Sequence, residues 1–244
     1  MSAPKPTTPT TPTTVERLDE ESRGLLVKIV EGLAYRELML ANIRGHGLKY
    51  VHELEDKLKL VGELENALLL FREIERLYAA LGSRDVISAV RDRMERIPYP
   101  SSRLELDVCL FLCEMTSRKA LAAYRGGACR ELEALCLSRL ESIPERTEPE
   151  RSAFVEFCAE ATNRPHAQQM FSRWLAISMV AMGRPGSKGD TRAVELGLRK
   201  THVETIARSF LADLEPFRQR CRLAWPDASA IGIEFPAEKR VSTR

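Results

Sequence analysis

Apolar residues recur three and four positions apart in runs of more than twenty residues, and this constrains the chain more than any other feature. Leu26, Ile29, Val30, Leu33, Leu40 and Ala41 keep the spacing with Glu and Arg between them, which lines them along one face of an α-helix. Gly45-His46-Gly47 should end that helix, since glycine terminates helices at little cost. A longer run follows in Leu54, Leu58, Val61, Leu64, Ala67, Leu68, Phe71, Ile74, Leu77 and Tyr78, closing at Leu81-Gly82. Two such runs joined by a short turn predict a long antiparallel helical hairpin.

The pattern continues in shorter units. A helix is expected from Asp85 to Arg96, and Ser102-x-x-Glu105 reads as a capping box opening a third long helix with the core stripe Leu104, Val108, Phe111, Leu112, Met115, Ala120 and Leu121. Further helices are expected from Ala128 to about Ser142, after the capping signature at Thr147, from Asn163 to Met182, and from Thr201 to about Leu223. The stretch Gly183 to Asp190 reads as a loop. The fold expected is all-α, a long bundle with additional C-terminal helices. Residues 1–15, rich in Thr-Pro, form a tail by composition; residues 16–225 make the helical domain, and residues 226–244 an irregular segment.

Composition narrows the function classes. With Lys+Arg 37 against Asp+Glu 35, the formal charge of +2 gives no basic excess of the kind that drives nucleic-acid binding. No apolar run reaches the length of a membrane span, and the N-terminus lacks the apolar core of a signal peptide, so a cytoplasmic protein is expected. The six cysteines include no Cys-x-x-Cys pair, and most are expected as reduced core residues.

Long helical bundles are where carboxylate-bridged di-iron centres occur, and those need Glu-x-x-His on two helices. The residues three positions before His46, His52, His166 and His202 are Ile43, Lys49, Asn163 and Arg199. No Glu-x-x-His exists, which disfavours iron. Acids in apolar company remain. Glu63 sits between Val61, Leu64 and Ala67, with Gly62 beside it to permit close packing. A turn centred at residues 46–48 would bring Glu31 level with Glu63, and Glu114 lies within Phe111-Leu112-Cys113-Glu114-Met115. Arg184 and Lys188, in the Gly-rich stretch, are candidate contacts for the phosphates of a coenzyme A ligand, against the alternative of a solvated basic rim.

The run Lys59 to Ala67 continued through Tyr78 to Gly82, with Leu104 to Val108, Phe111-Leu112 and Leu121, resembles the bundle helices of the phenylacetic acid catabolic family. That family includes the A and C subunits of the phenylacetyl-CoA epoxidase. Arg173-Trp174, Gly183 to Ser187, Glu195 to Thr201, Phe210, Pro216 and Trp225-Pro226-Asp227 are similar to the carboxyl end of its A subunit. The resemblance implies a ferritin-like fold and a place in a multicomponent oxygenase acting on an aryl-CoA. It matches Glu63 to the Glu of the first Glu-x-x-His, with Asn66 where the His would stand, and Glu31 and Glu114 to the single carboxylates.

No His falls where the second motif belongs. The implied role is therefore a non-catalytic partner or acyl-CoA-binding subunit without a cofactor, in a homo-oligomer or with other oxygenase components. The alternatives are an oxygenase with an atypical metal site at Glu31, Glu63 and Glu114, and an all-helical interaction module.

Overall fold

The computed structural model describes residues 14–144 and 148–227; the expectations for residues 1–13, for a cap at Thr147 and for residues 228–244 lie outside them. The described chain is an all-α bundle. Its helices are α1 (Glu20–Gly47), α2 (Leu54–Ala80), α3 (Val86–Met94), α4 (Arg103–Ala122), α5 (Arg130–Ser142), α6 (Glu148–Ala159), α7 (Arg164–Met182), α8 (Lys188–Glu195) and α9 (Val203–Cys221). Val15, the last residue of the expected tail, is buried in the core at the head of a single 3-10 turn.

Helix α4 is the centre of the molecule, packed against α1, α5, α6, α7 and α9. A helix enclosed on all sides needs apolar residues around its circumference. Leu106, Val108, Cys109, Leu110, Leu112 and Cys113 supply them, whereas the expected stripe members Leu104, Phe111 and Met115 are only partly buried. Its N-terminus is capped as predicted, the Ser102 hydroxyl accepting from the Glu105 N–H at 3.1 Å. The return arm of the box is displaced by one residue. The Glu105 carboxylate accepts from the Ser101 N–H at 2.8 Å and the Ser101 hydroxyl at 2.6 Å, and its other oxygen accepts from Trp174 Nε1 at 3.0 Å. That last bond ties the start of α4 to the buried Trp174 of α7.

Helices α1 and α2 form the expected hairpin, but its register differs. Arg44 lies beside Glu63 and Glu31 beside Tyr78, so the hairpin is centred near residue 54 rather than at 46–48. The cause is local: α1 runs through all three residues Gly45-His46-Gly47, and a 3-10 turn at Leu48–Tyr50 and the stretch 51–53 follow before α2 begins. Gly47 gives the close approach expected of Gly62. A Cβ on Gly47 would meet Leu106 of α4 at 2.7 Å, while one on Gly62 would meet nothing within 4 Å.

Two boundaries differ near the carboxyl end. The loop expected to reach Asp190 ends at Ser187, whose hydroxyl accepts from the Asp190 N–H and caps α8. Helix α9 starts at Val203 rather than Thr201. There the buried Asp190 carboxylate accepts from the Val203 N–H at 3.0 Å and is ion-paired with Arg199.

Candidate functional site

Glu63 and Glu114 do meet. Glu114 is buried on the enclosed α4, and Glu63 faces inward from α2; between them lies the Arg44 guanidinium, carried in from α1. Arg44 Nη2 donates to Glu114 at 2.6 Å and Nε to Glu63 at 3.2 Å, with 1 % of the Arg44 side chain, 9 % of Glu63 and 2 % of Glu114 exposed. Three helices thus place one cation against two carboxylates at the bundle interior.

Glu31 is elsewhere. Its carboxylate pairs with Lys28 at 2.8 Å and accepts from the Tyr78 hydroxyl at 3.1 Å. Burial, together with that bond to Glu31 and the carboxylate's charge, raises the Tyr78 phenol above its ordinary pKa. The three acids named from sequence therefore form a pair about Arg44 and one separate member. Among the described residues, no group of three or more His, Cys, Asp or Glu side chains converges in metal-binding geometry.

A second buried ion pair lies on the same side of α1. Glu37 accepts from Arg139 of α5 at 2.8 Å, with 1 % and 3 % of the side chains exposed. Sequence reasoning missed both Arg44 and Glu37, yet a signal for them exists. Leu33, Glu37, Leu40, Arg44 and Gly47 follow one another at alternating spacings of four and three, a single seam of the helix. All five are buried, so the two charges occupy core positions in the apolar pattern.

Energetics fixes what this arrangement can do. A charge taken from water costs several kcal/mol unless a partner compensates it, and here two carboxylates from different helices share one guanidinium. An iron ion would need those same carboxylate oxygens, together with imidazoles that the chain does not place here.

Arg184 and Lys188 are exposed, as a solvated rim would be. Of the basic residues that follow, Arg192 pairs with Glu21 and Glu195 at 2.6 Å each, and Arg199 with Asp190. A groove of about 550 Å³ lies elsewhere, between α2 and α5, lined by Leu70, Leu77, Ala134 and Leu135 with Glu73, Arg76 and Glu131. Neither Arg184 nor Lys188 lines it.

All six cysteines are buried and none forms a disulfide. Burial pushes the Cys136 thiol up to about 12. Across the α6–α9 contact, the hydrogen bond between Cys158 and Cys221 lowers the former thiol's pKa and raises the latter's. No protein-family model and no curated protein matches the sequence.

Proposed function

We propose that the chain is a divergent ferritin-like protein of the phenylacetyl-CoA epoxidase family, acting as a non-catalytic partner or acyl-CoA-binding subunit. The observation that carries this reading is the position of Arg44. Glu63 and Glu114, the acids that the resemblance aligns with metal ligands, converge as ligands do, but on a guanidinium. A fixed organic cation holds the helices together electrostatically without an open coordination position or a redox couple. The interior that would otherwise assemble a di-iron centre becomes a structural brace, and the subunit's contribution passes to what it binds.

Helix length and disposition agree with this reading, since α1 and α2, 28 and 27 residues long, pair antiparallel and α4 and α7 pack together beside them. The groove between α2 and α5 has an apolar floor suited to an acyl chain, and at its margin stand Glu131 and the ion pair of Arg76 with Glu73.

The test has two arms. Protein expressed with iron supplementation is analysed for metal beside its Glu63→Ala variant, and the unmodified chain is titrated with phenylacetyl-CoA and mixed with a phenylacetyl-CoA epoxidase catalytic subunit. Expected are no stoichiometric iron, and either a saturable calorimetric isotherm or co-elution in a defined complex. Stoichiometric iron that disappears in Glu63→Ala overturns the proposal in favour of an oxygenase. Failure of both binding experiments overturns it in favour of an unrelated helical interaction module.

A further inference from the structure

Five of the eight large apolar side chains exposed among the described residues belong to one helix. Leu54, Leu58, Val61, Leu68 and Leu69 of α2 are between 44 % and 69 % exposed. Their spacing places them in one stripe along the helix, and Leu60, Ala67, Phe71 and Ile74, which are buried, lie toward the other side. Helix α2 rests against α1 and α5, and the outward stripe is left facing solvent. Scattered exposed apolar residues are ordinary, whereas a continuous row on one helix marks an interaction surface.

The charges along the stripe identify the occupant. Glu65 and Arg72 are exposed on the same face, and neither forms an ion pair among the described residues. Glu65 stands three residues before Leu68, and Arg72 three residues after Leu69. The pattern is therefore antisymmetric in charge about the Leu68–Leu69 midpoint. A second α2 laid antiparallel, with a two-fold axis through that midpoint, sets each Glu65 against the partner's Arg72, and Leu68 and Leu69 of both copies together at the centre. Leu58 then faces the partner's Ala79, and Val61 the aliphatic stem of the partner's Arg76. A parallel in-register pair would oppose Glu65 to itself and Arg72 to itself, so the charges select the antiparallel arrangement. Self-complementarity about a point on the surface is what an isologous interface requires.

We propose that the outward face of α2 is the interface of a two-fold homodimer of this chain, with Leu68 and Leu69 at its apolar centre and reciprocal Glu65 to Arg72 ion pairs flanking them. The surface is independent of the Arg44 cluster, and the dimer stands or falls apart from the reading of that cluster.

Sedimentation and light scattering of the full chain over a concentration series test the interface. A species of twice the 27.5 kDa chain mass is expected. Glu65→Arg alone and Arg72→Glu alone each place like charges in contact and should raise the dissociation constant about tenfold or more, while the combined Glu65→Arg/Arg72→Glu chain regains the dimer. All four positions concerned, Glu65, Leu68, Leu69 and Arg72, are exposed, so circular dichroism and melting of the monomer should be unchanged in the variants. A chain that stays monomeric at every concentration overturns the proposal. So does a dimer indifferent to the single reversals or not rescued by the double one, since a different partner or face gives no reason for the swap to compensate.

Discussion

Arg44 of α1 donates to Glu114 of α4 across a distance of 2.6 Å, in a place where neither side chain reaches solvent appreciably. Replacing Arg44 by Met leaves the Glu114 carboxylate buried without its cation and deprives Glu63 of the same partner. Folding stability should fall by about 3–5 kcal/mol, the usual consequence of breaking a buried pair from one side. The double variant Arg44→Met/Glu114→Leu removes the more deeply buried of the two acids as well and should recover a large part of the loss. Urea denaturation followed by circular dichroism measures both, and a single variant as stable as the double one contradicts the assignment.

Gly47 and Gly62 should respond oppositely to the same substitution. At Gly47 a Cβ meets Leu106 at 2.7 Å, so Gly47→Ala must displace α4 or force Leu106 from its rotamer, at a cost of about 1–3 kcal/mol. At Gly62, inside α2 with open space around it, Gly62→Ala reduces the freedom of the unfolded chain and should stabilise by roughly 0.5–1 kcal/mol. Melting temperatures of the two variants, moving in opposite directions from the parent, are the check.

Acid stability should depend on Glu105. Burial by itself would raise its pKa, but the hydrogen bonds from the Ser101 hydroxyl and N–H and from Trp174, with the charge of Arg173, outweigh burial and hold the carboxyl below its ordinary value of 4.5. A depressed native pKa means that the unfolded chain takes up the proton first as pH falls. The stabilisation from Glu105 is therefore complete above about pH 4.5 and drains away as pH falls through the lower native value. Glu105→Gln should be less stable at neutral pH and show a shallower decline over that acid range. Tryptophan fluorescence in thermal melts from pH 3 to 7 follows this; parallel acid limbs in the two proteins contradict it.

The parts of this molecule that were legible in the sequence are those decided locally. Asp85 and Ser102 cap α3 and α4 through their own side chains, and Gly183, at φ 121°, ends α7 where expected. What escaped depends on neighbours distant in sequence. Helix α9 begins after His202 because Asp190, thirteen residues earlier, supplies an acceptor to the Val203 N–H, and no local signature reports that. In α2 the apolar pattern merged two faces. Leu54, Leu58, Val61 and Leu68 carry the same periodicity as the core positions Phe71 and Ile74 and lie in the solvent-facing stripe. Glu63 and Glu114 were recognisable as acids in apolar surroundings. Their shared partner was not, because placing the hairpin centre about two turns too early set Glu31, rather than Arg44, beside Glu63.

The Arg44 cluster also bears on how such a sequence can drift. Arg44 is a cation that two inward acids share, so a lineage that loses it while keeping them passes through a protein several kcal/mol less stable, a large part of a typical domain's margin. The acids are entrenched by the arginine and the arginine by the acids. A pair of inward carboxylates can therefore persist in descendants of this chain through its electrostatic coupling to the arginine alone.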